Sequence, residues 1–229
     1  MKKEFLLDDS IWEKSFVVDV NEYKKGREDY VNSCVSEEFW GRDGVRERII
    51  ASMNFVFLLL GKEMSKKLGF DLRLEFVNLI AKRVPVRTMA DPELVGTGEV
   101  WVFIQINMTA INCIVDDIFE GNNEIADIKK FTEDWCQFLE GSMVQEFAHI
   151  LYFLSVCNSD RRNAFIKTMS DYVFADEDIG SATREAYLVT EIERHGRVIE
   201  LDFLIKVYPN SWALAWCEED LKQIKELGV

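Results

Sequence analysis

Proline is scarce in this 229-residue chain, occurring only at positions 85, 92 and 209, so little interrupts helical geometry. No run of β-branched residues alternates with polar ones between turn signals, which is the mark of a half-buried strand. The two absences together predict an all-α fold. Paired cysteines are lacking too: Cys34, Cys113, Cys136, Cys157 and Cys217 are odd in number and follow neither zinc nor redox spacing. They read as buried thiols of a reducing compartment. No long apolar run is present either. The longest uncharged stretch, residues 100–115, is interrupted by Gln105, Asn107, Thr109 and Asn112 and falls short of the roughly 20 residues that span a bilayer. At the N-terminus, Asp8 and Asp9 cut the apolar residues short of a signal peptide, so the expected location is cytoplasmic, with no membrane partner. A Gly-rich phosphate loop, a Gly-x-Ser-x-Gly elbow, a zinc-protease motif and internal repeats are all missing.

What the chain has in excess is acid. Forty-one acidic side chains against 27 basic ones give a formal charge of −14, which repels phosphate backbones and excludes nucleic acid as the expected partner. The same field attracts a protein with a basic surface. Hydrophobic residues make up 48% of the chain, enough to fill the interior of one domain spanning residues 1–229.

Apolar spacing and caps predict about eight or nine helices. The first covers residues 11–31 after a Ser10 cap, with Trp12, Phe16, Val20 and Tyr23 as its stripe. Others follow at 45–68, stopped by Gly69, and at 72–83, ended before Pro85. Residues 99–120, stopped by Gly121, carry no charge from Val100 to Val115 and are expected to form the central, most buried helix, with Trp101, Met108 and Ile111 inaccessible. Further helices are expected at 124–139, at 142–157 from a Ser142/Gln145 capping box, and at 161–173. The last two are expected at 181–207, with a break at Gly196, and at 212–227 after a Ser211 cap.

Three constellations carry candidate chemistry. Asp116, Asp117 and Glu120 close the predicted central helix at i, i+3 and i, i+4 spacing, where they repel one another and meet the negative end of the helix dipole. That arrangement calls for a cation, either a Mg²⁺-like ion or an arginine or lysine from elsewhere. A second segment sets Glu177, Ser181 and Glu185 four residues apart on one potential helix face. Together the two segments resemble class I terpenoid synthases. The resemblance implies three magnesium ions held by Asp116, Asp117, Glu120, Glu177, Ser181 and Glu185, and a prenyl diphosphate substrate. Third, Glu146 and His149 form one Glu-x-x-His pair of the kind used by ferritin-like di-iron oxidases, whereas Glu191 precedes His195 by four residues instead of three.

Without a complete active site, the preferred reading is an acidic intracellular binding protein, such as an immunity or inhibitor protein that neutralises a basic partner. No cofactor is expected on this reading, and magnesium belongs to the enzyme alternative. The acidic residues expected to face the partner are Asp116, Asp117, Glu120, Glu124, Asp171, Asp176 and Asp178.

Overall fold

A computed structural model describes residues 19–68, 72–79, 84–90, 102–122, 124–157 and 191–226. These residues are mostly helical, with six helices and a small sheet. Helix α1 (Val20–Cys34) starts at Asp19, whose carboxylate accepts from the amides of Asn21 and Glu22 at 3.0 Å. Helix α2 (Arg42–Leu68) leads into strands β1 (Arg73–Val77), β2 (Val86–Ala90) and β3 (Val102–Asn107). The sheet order is β1-β3-β2, with β1 parallel and β2 antiparallel to the central β3. Helices α3 (Met108–Phe119), α4 (Ile125–Cys157), α5 (Glu191–Val207) and α6 (Trp212–Glu226) complete the described chain.

The central helix is α4. Its Leu139, Met143, Phe147 and Ile150 are fully inaccessible, and it packs against α2, α5, α6 and β2. Burying a side chain of that size stabilises by about 1.5–3 kcal/mol, so this one face contributes more than any cap in the molecule. At the α4–α6 contact, Phe138 stacks on Trp212 with centroids 4.9 Å apart, and Trp135 meets both rings edge-on.

The sheet overturns two helical expectations. The segment expected as a helix at 72–83 contains β1, and the expected 99–120 helix divides into β3 and α3. Ile104 and Ile106, two residues apart, are buried from the strand, whereas Ile111, Ile114, Val115 and Ile118 are buried at helical spacing. Asn107 makes the junction without a loop. Its amide donates to the Pro85 carbonyl at 2.8 Å, and its side-chain oxygen accepts from Leu79 N at 3.1 Å and from Thr109 N at 3.2 Å, capping α3. The segment is therefore neither one helix nor the central one. Ile111 is inaccessible as expected, Met108 is half-buried, and Trp101 lies outside the described residues.

Other boundaries shift for equally local reasons. The helices expected at 124–139 and 142–157 are one, because the Ser142 hydroxyl donates back to the Phe138 carbonyl at 3.1 Å instead of capping a new start. Helix α5 runs unbroken through Gly196. Ser211 caps α6 as expected, accepting from Leu214 N at 3.1 Å, and Gly121 ends the α3 turn at φ +82°. Ser10, Gly69, residues 161–173 and residues 181–190 lie outside the described residues. Among the described residues, no helix is long and apolar enough to cross a membrane.

Candidate functional site

The acidic end of α3 is open to solvent. Asp116, Asp117, Glu120 and Glu124 are all exposed, as is Asp127 in the first turn of α4. The cation that this cluster calls for comes, for Asp116, from the start of α2. Arg42 pairs with Asp116, and its guanidinium lies over the Phe119 ring at 5.1 Å from the centroid. Next to it, Arg46 donates to Asn112 at 2.9 Å and to Asp43 at 2.8 Å. Asp117, Glu120, Glu124 and Asp127 form no ion pair among the described residues. Ile125, in the first turn of α4 between Glu124 and Asp127 in sequence, is 60% exposed. Four of the seven expected partner-facing residues, Asp116, Asp117, Glu120 and Glu124, are thus exposed between the end of α3 and the start of α4. Asp171, Asp176 and Asp178, and with them Glu177, Ser181 and Glu185, lie outside the described residues.

Four of the acids are buried, which the sequence pattern did not indicate. Three cations each take two carboxylates between packed helices, one joining α1 to α4, one α5 to α6 and one α4 to α5. Arg27 of α1 donates to Glu140 at 2.5 Å and to Glu133 at 3.0 Å. Arg197 pairs with Glu200 at 2.6 Å and with Asp220 of α6 at 3.3 Å. His149 lies 3.3 Å from Glu146 and 3.1 Å from Glu193. Glu140, Glu193, Glu200 and Asp220 are each buried, and Glu140 also accepts from Tyr23 at 2.6 Å, from Tyr208 at 2.5 Å and from Ser52.

Burial and charge compete at each of these groups. Burial alone would lower the His149 imidazolium, but the Glu193 and Glu146 carboxylates outweigh it and hold the pKa up at about 10. Burial raises Glu200, with Arg197 pulling it back in part. The thiol of Cys136 is pushed up to about 12 by burial, and that of Cys217 is raised further by burial and by Glu200. Neither buried thiol is poised as a nucleophile.

The Glu146/His149 pair therefore belongs to a salt-bridged cluster. Glu146 also accepts the amide of Thr88 at 2.7 Å, so its carboxylate closes the edge of β2 against α4. Among the described residues, no group of three or more His, Cys, Asp or Glu is arranged to hold a metal ion. No protein family, curated protein or solved structure matches this chain. The signal that could have located the buried acids is weak: Glu140 and Glu200 sit on the apolar faces of their helices, and only their places among Cys136, Leu139 and Met143, and among Phe203 and Leu204, set them apart.

Proposed function

We propose that this protein is a non-enzymatic binding protein, of the immunity or inhibitor kind, that neutralises a partner with a basic surface. The observation that supports it most is the face at the end of α3 and the start of α4. There Asp117, Glu120, Glu124 and Asp127 are exposed and free of ion pairs among the described residues, and Ile125 in the same stretch is exposed as well. An exposed apolar side chain within an acidic stretch suits an interface with a buried centre and a polar rim. The internal pairing around α4 and α5 adds to this reading, since Arg27, Arg197 and His149 occupy the buried carboxylates that acid–base chemistry would otherwise use.

Association with such a partner is expected to be fast at low salt and to slow as the Debye length shrinks from about 30 Å at 0.01 M to about 8 Å at 0.15 M. Charge reversal at Asp117 and Glu120 lowers the on-rate about tenfold at low salt and leaves the unfolding curve in place, because both side chains are exposed. The experiment is recovery of partners from the native host at low salt, followed by stopped-flow kinetics with both proteins. A partner whose on-rate ignores salt and these substitutions would refute the reading.

A further inference from the structure

On this acidic chain, one cleft gathers cations. It lies among α1, α2 and α4, has a volume of about 390 Å³, and is lined by Lys24, Arg27, Arg48 and Lys129 with only Glu28 and Glu133 as carboxylates. That is the size of a small-ligand site. Arg27 is engaged by Glu140 and Glu133, but Lys24, Arg48 and Lys129 form no ion pair among the described residues. Arg48 is the informative member. It is only 6% exposed, its Nη2 donates to the Ser36 carbonyl at 2.6 Å, and its buried Nε has no acceptor. A guanidinium withdrawn from water with no ion pair and one N–H unsatisfied is costly, and such a cost points to an anion as its partner.

A second observation points the same way. The Arg48 guanidinium lies 4.1 Å and the Lys129 ammonium 5.0 Å from the centroid of one ring, that of Trp40. Two like charges share an indole that is itself pinned by its Nε1 donating to the Glu37 carbonyl at 2.7 Å. Contact with the ring stabilises each cation but does not cancel their mutual repulsion. With Arg27 taken up by Glu133 and Glu140, three cations, Lys24, Arg48 and Lys129, face the one remaining carboxylate, Glu28, and the three acceptor oxygens of a phosphate monoester serve three donors where a carboxylate offers two.

We propose that this cleft binds a small phosphomonoester, with Arg48 and Lys129 holding the phosphoryl oxygens beside Trp40 and Lys24 completing the charge. The site is separate from the acidic face and does not depend on the role given to that face. The probe is phenyl phosphate, titrated at low salt by calorimetry and by amide and indole NMR. Saturable binding is expected to shift the Trp40 indole resonance and to weaken at least tenfold in Lys129→Met and in Arg48→Met. Lys222→Met, an exposed α6 lysine outside the cleft lining, and charge reversal at Asp117 are expected to leave it unchanged. Should Arg48→Met lose its fold, Lys24→Met replaces it, since Lys24 is exposed. The proposal is overturned by any one of four results: no saturable binding up to about 10 mM probe, shifts that map away from Trp40, cleft variants that bind as the parent does, or benzoate binding as tightly as phenyl phosphate.

Discussion

His149 shows how a single residue's charge is set by its neighbours. In the unfolded chain it titrates near 6.5, whereas between Glu193 and Glu146 it stays protonated to about 10. A raised folded-state pKa means that its contribution to stability is fully present below about pH 6.5 and is lost as pH rises through 10. Urea unfolding at pH 6.5 and at pH 8.5 should therefore show a fall in stability that His149→Gln lacks. A variant with the parent's slope would show that the imidazole is neutral in the fold. Little at this scale was legible in the sequence. The Glu146/His149 spacing drew attention to the right two residues, but the partner that matters most, Glu193, lies 44 positions beyond His149 on another helix. Nothing local in a sequence connects such a pair.

At the scale of elements, amphipathic helices with good ends were readable and the sheet was not. Helix α6 and its Ser211 cap follow from local chemistry, as do the body of α2 and the Gly121 stop. The strand β3 was hidden because an uncharged stretch carries two periods in succession, two for Ile104 and Ile106 and then three or four from Ile111 onward. Asn107 marks the change without a proline or glycine. In β1 the alternation of Arg73, Leu74, Glu75 and Phe76 was present but too short to outweigh the helical pattern around it.

Helix α5 supplies a prediction at this scale. A Cβ on Gly196 would lie 2.6 Å from His149 Nε2 and 2.8 Å from its Cδ2, and the ring cannot swing away without leaving Glu193. Gly196→Ala gains about 1 kcal/mol of helix propensity but incurs overpacking of about 1–3 kcal/mol and breaks the ion pair. Net destabilisation is expected. On α2, a Cβ on Gly61 meets only side-chain atoms at 3.8 Å or beyond, so Gly61→Ala is expected to stabilise by about 1 kcal/mol. Chemical denaturation of the two variants should give shifts of opposite sign; shifts of the same sign would refute the close approach of α4 and α5.

Over the whole molecule, the −14 charge is not a uniform coat. Several carboxylates are buried against cations between the helices, others are exposed from Asp117 to Asp127, and the cleft at Trp40 gathers cations. Composition gave the total and suggested a basic partner, but it contained no sign of this partition. Salt should accordingly have unequal effects. Exposed interactions fade within about 8 Å at 0.15 M, while the buried clusters are barely screened, so salt is expected to slow association far more than it lowers the melting temperature. Parallel measurement of the on-rate and the melting curve from 0.01 to 0.5 M salt checks this.

The doubled carboxylates of the α4–α5 seam also determine where two cylinders can stop sliding. His149 faces Glu193 near one end of the contact, and Gly141 faces Glu200 near the other, so α4 and α5 run antiparallel with charges at fixed stations. Slipping one helix by a turn, about 5.4 Å, would leave buried carboxylates facing leucine and phenylalanine. Buried ion pairs add little net stability compared with apolar replacements, so their effect here is on uniqueness of alignment. Replacing His149 and Glu193 together by leucine should leave the melting temperature level or higher, yet give duplicated amide resonances along α5 as the helix samples neighbouring alignments. A single sharp set would show that packing alone fixes the position. The seam thus acts as a vernier: it does not hold the helices together so much as it decides which of several equally oily alignments is the native one.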